Sequence, residues 1–121
     1  MDKASVQKNE IPLDRIAERH VFERRIKIRT KLRDKNIVAD AWTRDMSESG
    51  LAAFVAEGFL IGEIVTLEIS LSDSANTLIP ATVARCLGTQ YGFQFTALSA
   101  EQRSKILSAL RGHPSIPYPG K

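Results

Sequence analysis

The chain has 121 residues, the length of one domain, and a domain of that size buries roughly two thirds of its unfolded surface without help. Its composition, 43% hydrophobic and 26% charged with a formal charge of +3, is that of a soluble globular protein. No apolar run approaches the ~20 residues needed to cross a bilayer. Met1-Asp2-Lys3-Ala4-Ser5 leads into polar sequence rather than a secretory signal, and the single Cys86 has no internal disulfide partner, so a cytoplasmic protein without membrane insertion is expected.

In chain order, residues 1–17 form a lead without periodicity, expected to be flexible. Residues 18–29 are a basic arm that runs into the first strand. From Arg25 the pattern has period two: Ile26, Ile28, Thr30 and Leu32 alternate with Lys27, Arg29, Lys31 and Arg33, a strand with one buried and one basic face. Asp34-Lys35-Asn36 is a plausible turn. Ile37 to Arg44 returns as a second strand, with Val38, Asp40, Trp42 and Arg44 on one side and Ile37, Ala39, Ala41 and Thr43 on the other. The hexad Asp45-Met46-Ser47-Glu48-Ser49-Gly50 breaks it, and Leu51 to Val55 is a third strand. Glu63 to Leu71 alternates again, residues 72–76 are a turn cluster, and Leu78 to Leu87 is a fifth strand, in which Cys86 is expected to be a small buried hydrophobe. Tyr91 to Phe95 is the sixth, with Tyr91, Phe93 and Phe95 on the core face.

The period then changes to 3.6. Ser99 is an N-cap, Ile106, Leu107 and Leu110 form an apolar stripe, and Gly112 ends a helix over 99–111. Residues 112–121 form a proline-rich tail expected to be disordered. Six short strands at hairpin spacing pair antiparallel and tend to close. The fold class expected is mainly β: a six-stranded antiparallel barrel over 26–96, with the C-terminal helix covering one end.

Catalytic sets are missing from the sequence. His20 and His113 stand far apart, and no metal-ligand spacing, nucleophile elbow, Walker loop or dinucleotide fingerprint occurs. An enzyme is not expected, nor a metal or cofactor. Charge is uneven instead. Between Asp14 and Arg44 stand Arg15, Arg19, Arg24, Arg25, Lys27, Arg29, Lys31, Arg33, Lys35 and Arg44, against Asp14, Glu18, Glu23, Asp34 and Asp40. That imbalance suits an anionic partner, though charge alone favours the plainer reading of a solvated strand face. In the hexad, Asp45 offers a carboxylate to a guanine edge or an arginine, Ser47 a donor to a phosphate oxygen, and Gly50 either positive φ or close approach. Such a hexad is also an ordinary polar loop.

The D-x-S-x-x-G pattern at Asp45, Ser47 and Gly50 resembles half of the PilZ family signature. Its position between the second and third strands, the run Tyr91-Gly92-Phe93-Gln94-Phe95 and the helix after Leu98-Ser99 extend the resemblance over roughly 18–110. The resemblance implies a non-enzymatic receptor for cyclic di-GMP, a bacterial second messenger of motility and biofilm control, whose N-terminal basic arm orders on the ligand and signals to a partner protein. It also implies an R-x-x-x-R motif ahead of the first strand. Arg15 with Arg19, Arg25 with Arg29, and Arg29 with Arg33 all satisfy that spacing. A second register lays Glu18 to Arg24 over the family's arm, with Arg24 as the second motif arginine and His20 in place of the first, where Arg19 or Arg25 could compensate. The ligand set implied is therefore Arg19, Arg24, Arg25, Arg29, Asp45, Ser47 and Gly50.

Two alternatives stand beside this. Some PilZ-like domains that have lost the arginines act as protein adaptors in pilus or flagellar control. A nucleic-acid barrel using Lys27, Arg29, Lys31 and Arg33 is disfavoured, because no exposed aromatic stacking platform accompanies the charge.

Overall fold

The computed structural model describes residues 18–32, 35–71 and 76–116. The lead over 1–17, Arg33 and Asp34, most of the 72–76 turn and residues 117–121 lie outside them.

Ile26, Ile28 and Thr30 are buried while Arg25, Lys27, Arg29 and Lys31 are exposed, so β2 (Arg25–Leu32) has the apolar and basic faces that its alternation dictates. The other elements are β1 (His20–Val21), β3 (Lys35–Met46), β4 (Gly50–Val55), β5 (Ile64–Ile69), β6 (Thr77–Leu87), β7 (Gln90–Phe95) and α1 (Ala100–Leu110). Every pairing is antiparallel, and the order β3-β2-β5-β6-β7-β4 returns to β3 through a β4–β3 ladder. Closure leaves these six strands without a free edge. Lys35 and Asn36, expected in a turn, already belong to β3, opposite Leu32 and Lys31.

The inward residues form one core that includes Ile28, Leu67, Ile79, Tyr91, Phe93 and Phe95. Ile106 and Leu110 of α1 join it, so the helix seals the barrel. The helix starts in a capping box: Ser99 Oγ accepts from Gln102 N (3.1 Å) and Gln102 Oε1 accepts from Ser99 N (3.0 Å). Gln102 Nε2 also donates to the carbonyl of Leu78, which ties the first turn to β6.

One element was not expected. β1 pairs with the end of β3, His20 opposite Met46 and Val21 opposite Asp45, and continues β2 across a break at residues 22–24. Thr43 organises that break. Its buried hydroxyl donates to the carbonyl of Phe22 and accepts from Arg24 N (2.8 Å), while Thr43 N donates to the carbonyl of Arg24. Phe22 thereby enters the core. Thr43→Val keeps the shape and removes the hydroxyl, leaving buried backbone groups unpaired. The expected loss is about 1–3 kcal/mol, read as a lower urea midpoint at unchanged slope.

Two expectations are corrected. Within the supposed disordered tail, residues 113–116 lie along β1: Val21 N donates to the carbonyl of Pro114 (2.9 Å) and Ile116 N to the carbonyl of Arg19 (2.8 Å). Proline misled because it is a poor strand residue, yet Pro114 contributes only a carbonyl, the group proline retains. Cys86 is exposed rather than buried. A register shift between Val83 and Arg85 ends the inward alternation, and residues 84–87 project beyond the core.

Candidate functional site

The site is built where β3, β4, β6 and β7 meet the arm. β3 carries a register shift between Thr43 and Asp45: Thr43 faces Ala53 and Asp45 faces Ala52, with Arg44 as the extra residue. Such bulges re-aim the next side chain. Asp45, buried beyond the shift, accepts from Arg19 Nε and Nη2, both 2.6 Å from Oδ1. Arg44 Nε stands 3.8 Å from its other oxygen. Residues 26 positions apart in chain order, from the two halves of the expected signature, therefore touch.

The hexad forms the β3–β4 turn. Ser47 is fully buried; its N donates to the carbonyl of Gly50 (2.8 Å) and its Oγ accepts from Ser49 N (3.2 Å). Ser47 thus holds the turn, and Ser49 is the half-buried hydroxyl beside the cleft described below. Gly50 is needed for close approach and not for positive φ. A Cβ there would lie 2.2 Å from the carbonyl oxygen of Phe93, because β4 runs hard against β7.

Outside this corner lies an open cleft of about 280 Å³, lined by Arg19, Ser49, Gly50, Arg85, Gly92 and Gln94 among others. Ligand sites usually span ~300–1,000 Å³, so a dinucleotide would lie across this surface rather than inside it. A second hollow of about 330 Å³ adjoins the arm, the hexad and the helix end, and is lined by Glu18, His20, Glu48, Leu107, Leu110 and Arg111. His20 Nδ1 lies 3.0 Å from the carbonyl of His113, and the residue lines this hollow.

The structure brings Arg19, Asp45, Ser47 and Gly50 together. Arg24 is turned elsewhere: its Nη1 donates to the carbonyl of Ser70 (2.6 Å) and its guanidinium lies 4.9 Å from the centre of the Phe22 ring. Arg25 is exposed opposite Trp42, which is itself exposed, so the expectation that no exposed aromatic accompanies the basic strand is corrected. Arg29 pairs with Glu68 (2.9 Å) and stands opposite Val38, seven residues or roughly 23 Å along β3 from Asp45. Arg85 and Gly92 were not singled out from the sequence. A signal existed for Gly92, since the core alternation of Tyr91, Phe93 and Phe95 turns it outward; none marked Arg85, whose neighbours depend on register.

Two cations of the basic face of β2 are paired with carboxylates. Lys27 donates to Asp40 (2.9 Å), and Glu68 accepts from Asn76 and Arg29. The Asn76 hydrogen bond, then Arg29, holds the Glu68 carboxyl below its ordinary value of 4.5, and Lys27 lowers that of Asp40. A depressed carboxylate stabilises the fold above the unfolded value, and this is lost as pH falls through the folded one. Glu68→Gln is expected to flatten the acid limb of the stability curve slightly below about pH 4.5, because an exposed pair contributes little. Acid titration followed by circular dichroism checks this.

Among the described residues no cluster of His, Cys, Asp and Glu suits a metal, and no helix is long and apolar enough to cross a membrane. The PilZ domain model matches residues 14–112. The fold is similar to the PilZ domain of CeSA from a cellulose-synthesizing bacterium, at 18% identity and a TM-score of 0.60, covering 78% of this chain and 95% of that one. It is also similar to the PilZ domain of YcgR from Escherichia coli, solved with c-di-GMP, at 14% identity and a TM-score of 0.64, covering 80% and 88%. No curated protein matches. With the closed barrel, the sealing helix and the hexad corner in place, the family match over most of the chain shows that this protein belongs to the PilZ domain family.

Proposed function

We propose that this PilZ domain is a receptor for cyclic di-GMP, taking the ligand across the cleft between the arm and the hexad and passing the signal to a partner protein. The Arg19–Asp45 contact carries this reading, because it joins the arm to the D-x-S-x-x-G turn beside an open, glycine-floored surface. The chemistry fits. A guanidinium can fork onto a phosphate or onto guanine O6 and N7, and it can stack on a base. Asp45 can accept from the guanine N–H edge. Each charge-assisted hydrogen bond contributes about 1.5–3 kcal/mol, and micromolar binding needs about 8 kcal/mol net, so a few contacts with stacking suffice.

Arg19 is held by Asp45, so a nucleotide that takes Arg19 must replace that partner. β1 lies between β3 and residues 113–116, so a displaced Arg19 disturbs the C-terminal segment as well as the arm. That linkage makes the arm a switch with two readable ends. Hydrogen exchange with and without cyclic di-GMP tests it: exchange is expected to change at residues 18–22, 47–52 and 113–116. Identical exchange at saturating nucleotide would rule the switch out.

A second reading has its own observation. Trp42 (48% exposed), Phe54 (43%) and Leu87 (82%) lie in one row across β3, β4 and β6, joined through Gln90. An exposed apolar row suits a protein contact, and with His20 in place of an arginine it favours an adaptor that takes no nucleotide. A wild-type chain that fails to take up the nucleotide would favour this reading.

A further inference from the structure

We propose that Arg85 is a ligand-binding residue of this cleft, facing the nucleotide from the barrel wall opposite the arm. The inference rests on the cyclic di-GMP reading and adds to it a residue outside both halves of the family pattern.

Three observations carry it. First, β6 shifts register between Val83 and Arg85, which sets Arg85 opposite Gly92 on the outer surface. Second, the Arg85 stem lies across the bare backbone of Gly92. A Cβ at that position would be 2.9 Å from Arg85 Cγ and 3.0 Å from Nε. A merely solvated arginine has no need of a glycine beneath it; one lying along the cleft floor does. Third, Arg85 has no hydrogen-bond or ion-pair partner among the described residues, whereas Arg19 is held by Asp45, Arg24 by the Ser70 carbonyl, Arg29 by Glu68 and Arg44 by Gln90. A free guanidinium on a surface shared with Arg19, Ser49 and Gly50 is available to an anion without first leaving a partner.

The arrangement also answers a shortage on the arm. His20 lines the other hollow with Glu18 and Glu48, and its ring is placed by the His113 carbonyl, so it offers no cation to the cleft. Arg85 supplies from β6 the guanidinium that the arm lacks. Its planar fork can take a phosphate at two points or cover a guanine face. The nucleotide would then lie between Arg19 and Arg85.

The test is calorimetric titration of cyclic di-GMP into the wild type, Arg85→Ala, Arg85→Lys, Gly92→Ala and the Arg85→Ala/Gly92→Ala double variant. Arg85→Ala is expected to weaken binding about ten- to a hundredfold with unchanged thermal unfolding. Arg85→Lys should restore only part, since lysine has the charge without the plane. Gly92→Ala pushes the flexible Arg85 side chain aside; it should weaken binding alone and add nothing once Arg85 is gone. If the wild type binds and Arg85→Ala matches it within about twofold, this inference is overturned while the cleft reading stands. Further weakening by Gly92→Ala in the Arg85→Ala background overturns the placement of Arg85 by Gly92. A wild type that does not bind overturns both readings.

Discussion

Asp45→Ala is expected to weaken cyclic di-GMP binding by at least about thirtyfold and to loosen the arm even without ligand, since a lost charged hydrogen bond removes about 1.5–3 kcal/mol and Asp45 makes more than one. Asp45 is the buried acceptor for Arg19. Remove it, and Arg19 loses its anchor, leaving β1 with its backbone pairing to β3 and to residues 113–116. On the proposed reading the same carboxylate would accept from a guanine edge. The variant therefore loses a ligand contact and frees Arg19 from the partner that nucleotide must displace, and the first effect outweighs the second. Asp45→Asn separates them: it keeps an acceptor of the same shape without the charge that holds Arg19. Titration calorimetry reads the affinity, and amide exchange at residues 18–22 reads the arm. Equal affinity for wild type and Asp45→Ala would remove Asp45 from the site.

Gly50→Val is expected to destabilise the fold by about 3 kcal/mol or more, at the upper end of overpacking effects. The atom that a Cβ would strike is the Phe93 carbonyl oxygen, 2.2 Å away, and backbone cannot swing aside as a side chain can. Both strands are pinned here, Gly50 opposite Gln94 and Leu51 opposite Phe93, and Phe95 N donates to the carbonyl of Ser49. Relief requires opening the β4–β7 ladder, which closes the barrel. For a chain of this size the loss lowers the melting temperature by roughly ten degrees or more. Gly58→Ala is the control, because nothing lies within 4 Å of a Cβ there, and it should leave the melting temperature within about a degree or two. A Gly50→Val protein that melts with the wild type would contradict the tight approach of β4 to β7.

The two variants also show what could be read from the chain and what could not. Alternation along Ile26–Thr30 and Tyr91–Phe95 was enough for the barrel, because a strand with one buried face must repeat every second residue. Ser99 marked the helix start for an equally local reason. The hexad could be found because its residues are contiguous. The choice among arginines could not be made: Arg19, Arg24, Arg25 and Arg29 carry the same group, and only the break at residues 22–24 decides which points toward Asp45. That break depends on Thr43, nineteen residues from Arg24, as seen in its hydrogen bond to that backbone. Arg85 and residues 113–116 were hidden for the same reason, since their contacts follow from register across the closed sheet and from where the helix ends. Cys86 was misplaced because a bulge cancels the alternation from which its burial was inferred.

The most direct test of the central claim is calorimetric titration of cyclic di-GMP into the wild-type chain at physiological salt. Saturable heat with a dissociation constant in the micromolar range or below, corresponding to about 8 kcal/mol or more, is the expected result. No heat up to several hundred micromolar nucleotide, on the order of 5 kcal/mol or less, would contradict it and leave the PilZ fold serving a protein contact instead.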